Sequence, residues 1–178
     1  MSYITTYSKK HLDPTNADIN DIDIIDIAHA LSLMCRANGH FKHFYSVAQH
    51  SLNCLKEAKA RGYSKRVQLG CLLHDASEAY LSDITRPVKV LLSEYFVIEE
   101  KLQEKIFNKW LENPLSDEER KLVFEIDDAV LYYEFINLMG EELTNYKTEI
   151  SARLEYDFCD FKEVEKSFIN EFNSLINA

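Results

Sequence analysis

Glycine and proline are scarce in this chain, with four and three among 178 residues. So few backbone breakers favour long helices joined by short turns. No apolar run is long enough to cross a bilayer, and residues 1–10 lack the apolar stretch of a signal peptide. The sequence has no CxxC pair, which favours separate thiols in a reducing compartment over a disulfide framework. We therefore expect a soluble, cytoplasmic protein with no membrane partner. The scattered cysteines are Cys35, Cys54, Cys71 and Cys159.

Basic residues are outnumbered by acidic ones. Lys and Arg total 20 and Asp and Glu total 30, which gives a formal net charge of −10. This balance disfavours DNA or RNA as a partner, because binding a phosphate polymer requires a basic face. It does not disfavour a small nucleotide, which a metal ion and a few cationic side chains can hold.

Apolar residues recur at helical spacing through most of the chain, which predicts an all-α fold. A length of 178 residues suits one domain with a real core. We predict a single compact helical bundle over residues 1–178. Within it, the sequence indicates an irregular N-terminal arm at 1–20, a motif-bearing core at 21–140 and C-terminal helices at 141–178.

Caps and breakers set the expected helix boundaries. Ser46 can cap one helix, and Ser116 with Glu119 forms a capping box for another. Pro87 disfavours helix in the residue before it, so residues 81–87 are expected to connect two helices. The predicted helices are 21–36, 46–61, 65–80, 88–112, 116–139 and two more in the remainder of the chain.

An adjacent His-Asp pair, His74 and Asp75, follows the apolar run at residues 67–73. A polar pair at the inner end of an apolar helix is costly to bury unless something compensates it. A divalent metal is the simplest compensation, since imidazole nitrogen and carboxylate oxygen suit zinc, manganese, iron or cobalt. The pair alone is weak evidence, because many such pairs lie on solvated faces.

Further candidate ligands lie in other apolar helical stretches. His50 lies upstream of the pair, and Asp127 and Asp128 lie downstream of it. Three helices that each offer a buried ligand are how helical bundles build internal metal sites. His50 could instead be a core histidine bonded to a carbonyl group.

Helical periodicity leaves the two aspartates unresolved. Asp128 shares a face with Phe124 and Leu131, and so tends inward. Asp127 groups with the valines of the same stretch. Either aspartate could therefore face the core.

Two more acids follow the His-Asp pair at short range. Glu78 is four residues after His74, so both can border one face of a helix. Asp83 lies just past the expected helix end. Both could be solvated surface acids, but beside a candidate metal pair we expect supporting or acid–base roles.

These segments resemble the HD-domain metal-dependent phosphohydrolases, and most closely the short bacterial 5′-deoxynucleotidases and their phage relatives, which include dATP triphosphohydrolases. The resemblance runs from about residue 31 to residue 140 and implies an HD-domain helical bundle. The order H…HD…D, with HDxSE and a downstream PVK, is far more specific than HD alone. The matching segments are residues 46–51, 72–79, 83–89 and 128–129.

The resemblance implies four metal ligands, His50, His74, Asp75 and Asp128. Asp128 is preferred to Asp127 because an alanine follows the aspartate in the family. The expected ion is Zn²⁺, Mn²⁺ or Co²⁺, with Mg²⁺ as a candidate second ion bound to the substrate. Such an ion would orient a phosphate oxygen and make a water molecule more acidic.

The resemblance also implies roles for three other residues, Glu78, Asp83 and Arg36. Glu78 matches a glutamate that acts on the attacking water, and Asp83 matches a second catalytic acid, which would protonate the leaving oxygen. Arg36 matches an arginine that holds the substrate phosphate, where a guanidinium offers bidentate bonds. Lys89, in the PVK segment, is a candidate for a further cation at the phosphate.

One position departs from the nucleotidases, which have a tryptophan directly after that arginine. This chain has Ala37 there, and its one tryptophan, Trp110, lies elsewhere. The surface that contacts sugar or base must therefore differ, and nucleoside specificity is not inherited. His40 and His43, in the loop that follows, are candidates for substrate contacts. For His40 and for His43, an equally good interpretation is that the histidine has no role in substrate binding.

The motifs and the resemblance predict a metal-dependent phosphohydrolase acting on nucleotides, in particular deoxynucleotides. Dephosphorylation of a 5′-monophosphate and hydrolysis of a triphosphate such as dATP are both open, as is phosphodiesterase action on a cyclic or signalling nucleotide. The non-enzymatic alternative is a helical binding protein stabilised by its metal. We rank it lower because structural zinc sites are closed and often sulfur-rich, and do not need surplus acids. We also expect a homo-oligomer.

Overall fold

The computed structural model describes residues 3–143 and 149–177. Helices dominate these residues, so the prediction of an all-α bundle is confirmed. No helix in the described residues is long and apolar enough to span a bilayer. A short turn (Arg36–Gly39) follows the first helix, and a π-helical turn (Phe135–Met139) continues the seventh. The α-helices are α1 (Ile24–Leu33), α2 (Val47–Ala60), α3 (Lys65–Leu73), α4 (Glu78–Leu81), α5 (Arg86–Lys89), α6 (Ser93–Trp110), α7 (Asp117–Glu134) and α8 (Phe161–Ile176).

The N-terminal arm, which the sequence predicts as irregular, contains a short antiparallel hairpin. Its strands are β1 (Ile4–Thr5) and β2 (His11–Leu12). The backbone N–H and the hydroxyl of Ser8 donate to the buried Asp26 carboxylate of α1, at 2.6 and 2.7 Å. Leu12 is fully buried. The arm is therefore anchored to α1 and contributes to the core.

Reciprocal side-chain caps begin the two helices that carry most of the site. At the start of α2, the Ser46 hydroxyl accepts from the Gln49 N–H while the Gln49 side chain accepts from the Ser46 N–H. Ser116 and Glu119 form the same pair at the start of α7. A cap of this kind is worth roughly 0.5–2 kcal/mol. These local bonds fix where each helix begins, and so which residues face the core.

The helices α2 and α3 lie at the centre of the bundle. α2 packs against α1, α3, α7 and α8, and α3 packs against α6, α7 and α8. Gly70 allows the close approach of α3 to α7, because a Cβ there would lie 3.0 Å from Val123 Cγ2 and 3.1 Å from Leu115 Cδ1. Larger residues at Gly70 would push α7 away from the residues that follow α3.

Two predicted helices are interrupted. α3 ends at Leu73, whereas periodicity predicts a helix to about Tyr80, and residues 74–77 form tight turns before α4. Backbone bonds from Ala76 to Leu73 and from Glu78 to Asp75 replace the α-helical pattern here. The predicted helix at 88–112 is likewise divided, between α5 and α6. The prediction of one continuous helix through the His-Asp pair is therefore wrong.

The C-terminal region differs from its prediction of two helices. Among its described residues, one helix, α8, is formed. Residues 149–160, which we call the strap, contain no helix. Residues 144–148, which fall inside this predicted region, lie outside the described residues. The strap runs along α2, whose polar side chains bind its backbone.

Three side chains of α2, spaced one turn apart, hold the strap. The amide nitrogens of Gln49 and Asn53 donate to strap carbonyl groups at 3.2 and 2.8 Å. The fully buried Glu57 carboxylate accepts from two strap N–H groups and from Arg61. These bonds satisfy backbone groups of the strap without a helix or a sheet.

Candidate metal centre

Two histidines meet inside the bundle. His50 lies on α2 and His74 directly follows α3, and their Nε2 atoms are 3.1 Å apart. The other ring nitrogen of each histidine is occupied. His50 Nδ1 lies 2.8 Å from a Glu134 oxygen, and His74 Nδ1 lies 2.9 Å from the carbonyl oxygen of Cys71. Both Nδ1 atoms face acceptors and so act as donors, which leaves both Nε2 lone pairs directed at one point.

Two carboxylates complete the group. Asp127 Oδ1 lies 3.0 Å from His50 Nε2 and 3.6 Å from His74 Nε2. Asp75 Oδ2 lies 3.3 Å from His74 Nε2 and 3.8 Å from His50 Nε2. We call His50, His74, Asp75 and Asp127 the candidate metal cluster. Its residues come from α2, from the turn after α3, and from α7.

The aspartate that lies with the histidines is Asp127, so the prediction of Asp128 in this place is wrong. Asp128 points to the edge of the site, where its Oδ1 accepts from Arg86 at 2.6 Å. The prediction treats Phe124 as an inward residue, yet Phe124 is 64% exposed. Helical periodicity therefore could not separate the two aspartates, and the alanine after Asp128, on which the choice rested, favoured the wrong one.

The charges and distances of the cluster fit a cation between the histidines. Burial would lower the pKa of His50, yet the surrounding negative groups hold it well above its ordinary value. Burial would raise the pKa of Asp127, yet His50 and His74 beside it hold this pKa well below its usual range. Ligand atoms at about 2.0–2.2 Å from one ion lie roughly 3–3.5 Å apart, as the two Nε2 atoms do. The donor set therefore fits a divalent metal.

Cys54 is a further donor beside the cluster. It lies one turn after His50 on α2, and its Sγ is 3.5 Å from His50 Nε2. With His50, His74 and Asp127 it forms a group whose ligand atoms all lie within 4.8 Å of one another. Burial raises the pKa of the Cys54 thiol to about 11. From the sequence, Cys54 is predicted only as one of four scattered thiols, although its four-residue spacing from His50 was a signal.

Glu134 is a site residue that is not among those predicted from the sequence. It is fully buried at the end of α7. One of its oxygens lies 2.8 Å from His50 Nδ1, and the other accepts from Arg36 Nε at 3.0 Å. Burial would raise the pKa of Glu134, yet His50 and Arg36 hold it below its ordinary value. The available signal was its spacing from Asp127, seven residues or two helical turns along one face.

Arg36 reaches the cluster from the turn that follows α1. Its Nη1 lies 3.3 Å from Asp75 Oδ2, and its Nη2 lies 3.7 Å from Asp127 Oδ1. Residues 37–39 all have positive φ, including the non-glycine residues Ala37 and Asn38. This left-handed run reverses the chain directly after the arginine. Arg36 thus lies beside the cluster, and its contact with phosphate stays a prediction.

Three other predicted residues, Glu78, Asp83 and Lys89, lie within electrostatic range of Asp75. Glu78 Oε2 is buried without a hydrogen-bond partner among the described residues. Burial, together with Asp75 and Asp83, raises the pKa of Glu78 well above its ordinary value. Burial also raises the pKa of Asp83. Lys89 Nζ lies 3.7 Å from Glu78 and 2.8 Å from Glu99. The roles predicted for these residues stay predictions.

The two loop histidines have different surroundings. His43 is half-buried, and its Nε2 lies 2.8 Å from the carbonyl oxygen of Tyr156 in the strap. His40 is exposed. In the described part of the chain, neither histidine forms a hydrogen bond or ion pair with the candidate metal cluster. Their predicted contact with substrate stays a prediction.

Comparison with known proteins adds two relatives. The chain is 43% identical over 110 residues to the uncharacterized protein YfdR of Escherichia coli (strain K12). The aligned segment covers 62% of this chain and 59% of that protein. It is 44% identical over 91 residues to an uncharacterized protein of Rhodobacter capsulatus, and this aligned segment covers 48% of this chain and 44% of that protein. The matches thus span about half the length of these curated relatives, and neither name states an activity.

A family model described as HD domain matches residues 34–172. This range contains the whole candidate metal cluster, together with Glu78, Asp83 and Glu134. The pair at its centre, His74 and Asp75, is the His-Asp dipeptide that the sequence analysis singles out. The chain therefore belongs to the HD domain family, whose members are generally metal-dependent phosphohydrolases.

Proposed function

We propose that this chain is a metal-dependent phosphohydrolase that acts on nucleotides, in particular deoxynucleotides. The observation that carries the proposal is the convergence of two imidazole Nε2 atoms, 3.1 Å apart, with the carboxylates of Asp75 and Asp127. Two nitrogen and two oxygen donors suit Zn²⁺, Mn²⁺ or Co²⁺. The nucleotide part of the proposal is supported by the resemblance to the deoxynucleotidases.

A bound ion of this kind polarises a phosphate oxygen and lowers the pKa of water. The chain keeps its donors aimed at one point. Asp127 accepts from Arg86 through Oδ2 at 2.7 Å, which turns its Oδ1 toward the histidines. The buried thiol of Cys54 borders the same point. Mg²⁺ is our candidate for a second ion that enters with the substrate.

Cationic side chains border the cluster and are proposed to hold phosphate. Arg36 presents two terminal nitrogens next to the cluster carboxylates, in a planar fork that matches phosphate oxygens. Lys89 lies beside Glu78, and Arg86 lies beside Asp127. Three cations can serve one phosphate or a triphosphate, so both substrates belong in the test.

Glu78 and Asp83 are proposed to handle the protons. The unpartnered Oε2 of Glu78 can accept a hydrogen bond from the attacking water and then its proton. Asp83 lies within electrostatic range of Arg36 and Lys89. Its carboxyl group would give a proton to the leaving oxygen. After product release, Glu78 loses the proton that it took from water and Asp83 regains a proton, both by exchange with solvent.

We also propose a small nucleotide rather than a nucleic acid as partner, a cytoplasmic location and a homo-oligomeric state. A net charge of −10 supports the first. Four free cysteines support a reducing compartment. Exposed apolar side chains from α5 through residues 90–92 to the start of α6 support self-association.

A substrate screen with purified protein tests the proposal. Metal-free protein would be reloaded with Zn²⁺, Mn²⁺, Co²⁺ or Mg²⁺. It would then be assayed against deoxynucleoside mono-, di- and triphosphates, ribonucleotides and cyclic nucleotides. We expect metal-dependent hydrolysis of deoxynucleotides, and its loss in Asp127→Asn. Turnover of cyclic nucleotides alone would identify a phosphodiesterase instead. Metal binding without turnover of any nucleotide would refute the proposal.

A further inference from the structure

Glu134 has no exposed surface, yet both of its oxygens are engaged by site residues. Oε1 lies 2.8 Å from His50 Nδ1, and Oε2 accepts from Arg36 Nε at 3.0 Å. A buried carboxylate is costly unless it is paired and hydrogen-bonded. A carboxylate held in place in this way can in turn fix the orientation of both partners.

We infer that Glu134 is a positioning residue that orients His50 toward the metal and Arg36 toward the phosphate, an inference that rests on the proposed function. On the histidine side, Glu134 accepts the Nδ1 proton of His50. This bond selects the tautomer whose Nε2 lone pair faces His74 Nε2 and Asp127 Oδ1. A carboxylate behind a metal-binding histidine also makes that histidine a stronger donor.

On the arginine side, the bond to Nε fixes the plane of the guanidinium. The Nη1 and Nη2 groups of Arg36 then lie at the edge that faces Asp75 and Asp127, at 3.3 and 3.7 Å. Phosphate recognition by arginine depends on presenting this fork as a rigid unit. Without Glu134, the guanidinium would lose the bond that holds its Nε edge.

The backbone explains how one residue can serve both partners. Asp127 and Glu134 lie two turns apart on one face of α7, so the helix carries a cluster carboxylate and the positioning carboxylate together. The buried Tyr45 hydroxyl lies near Glu134 and accepts from Asn53 at 2.8 Å. Asn53 in turn binds the strap.

A purely structural role is the competing explanation, and Glu57 provides a matched control. Glu57 is equally buried, and its partners are Arg61 and the N–H groups of the strap. It lies two turns beyond His50 on α2. Changing either glutamate to glutamine removes one buried charge, but the change at Glu134 also weakens the acceptor behind His50.

The first experiment compares Glu134→Gln and Glu57→Gln. Zn²⁺ affinity is measured by competition with a chromophoric chelator, and inorganic phosphate affinity is measured by calorimetry on the Zn²⁺-loaded proteins. We expect Glu134→Gln to weaken Zn²⁺ binding by about 10–100-fold and to weaken phosphate binding as well. Glu57→Gln should lower the melting temperature and leave both affinities unchanged. Unchanged affinities in Glu134→Gln, or equal losses in both variants, would overturn the inference.

The second experiment needs no variant, and so does not depend on how well Glu134→Gln folds. Long-range ¹H–¹⁵N spectra of the Zn²⁺-loaded wild-type protein report which imidazole nitrogen carries the proton. We expect His50 to be protonated at Nδ1 and metal-bound at Nε2, and the opposite tautomer would overturn the inference. Neither readout requires catalysis. Failure of the substrate screen with an intact Glu134 effect would therefore refute the nucleotidase proposal and leave the positioning role standing.

Discussion

Asp127 and Asp128 are adjacent in the chain but have different partners. Asp127 Oδ1 lies 3.0 Å from His50 Nε2, whereas Asp128 binds the exposed Arg86. Residues that only orient a metal ligand typically contribute about 10–100-fold to metal affinity. We predict that Asp127→Asn weakens Zn²⁺ binding by a larger factor. Asp128→Asn carries the same charge change one residue away and should bind Zn²⁺ like the wild type. Chelator competition measures both, and a greater loss in Asp128→Asn would contradict the assignment.

Glu78 should separate metal binding from turnover. It lies next to the cluster, and its free Oε2 faces no protein donor in the described residues. We predict that Glu78→Gln retains its metal and loses about 10²–10⁴-fold in kcat, the usual contribution of a general base. Asp75→Asn should lose metal and activity together. For each variant, metal content and steady-state kinetics are measured on the same preparation. Equal metal loss in the two variants would show that Glu78 is a metal ligand.

Local motifs made part of the site predictable at the residue scale. His50, His74 and Asp75 lie in short segments whose residue types and order are specific, and the structure brings all three together. Helical periodicity left Asp127 and Asp128 both open, and the alanine that follows the aspartate in the family favoured Asp128, which the structure places with Arg86. Glu134 was not predicted, because its seven-residue spacing from Asp127 becomes meaningful only through its long-range contacts with His50 and Arg36.

At the scale of helices, starts were more predictable than ends. Ser46 and Ser116 cap their helices with residues three positions away, so the signal is contained in the local sequence. The end of α3 at Leu73 depends on turns that place the His-Asp pair in the site. The strap could not be predicted, since side chains of α2 about a hundred residues upstream satisfy its backbone.

The capping box of α7 should make the free energy of unfolding depend on pH. Arg66 and the Ser116 N–H hydrogen-bond Glu119 and hold its pKa below the ordinary 4.5. A carboxyl group whose pKa is lower in the folded state stabilises the fold above its unfolded value, and this stabilisation is lost as the pH falls through the folded value. We predict that Glu119→Gln costs about 0.5–1 kcal/mol at pH 7, a deficit that shrinks below pH 4.5.

Urea unfolding at neutral and acidic pH measures this difference. Glu118→Gln is the matched control, because Glu118 lies in the same first turn of α7 and is exposed. Its deficit at neutral pH should be smaller. A deficit in Glu119→Gln that is constant over the whole pH range would mean that the ionised carboxylate contributes nothing to the cap.

An apolar surface that runs from α5 through residues 90–92 to the start of α6 bears on the assembly of the whole molecule. Six apolar side chains within ten residues are exposed, with Val90 and Leu91 each 80% exposed. Contiguous exposed apolar surface usually marks an interaction site, and a two-fold dimer buries one patch against its own copy. We predict a dimer or larger homo-oligomer by light scattering, and dissociation to monomer in Leu91→Glu. A monomeric wild type would contradict this expectation. The side chains are Val88, Val90, Leu91, Leu92, Phe96 and Val97.

Metal removal should loosen the bundle as a whole, because the cluster joins α2, the end of α3 and α7. An ion that binds the folded state alone adds about 2.7 kcal/mol to the free energy of unfolding at 100 times its Kd. For a chain of this size, that corresponds to roughly 5–10 °C in Tm. We predict that Zn²⁺ raises the Tm of wild-type protein by this amount in calorimetry and that a chelator reverses the increase. Asp127→Asn at the same Zn²⁺ concentration should show little change, because it lacks one of the carboxylates through which α7 is joined to the other two helices. An equal increase in that variant would place the stabilising ion elsewhere on the chain.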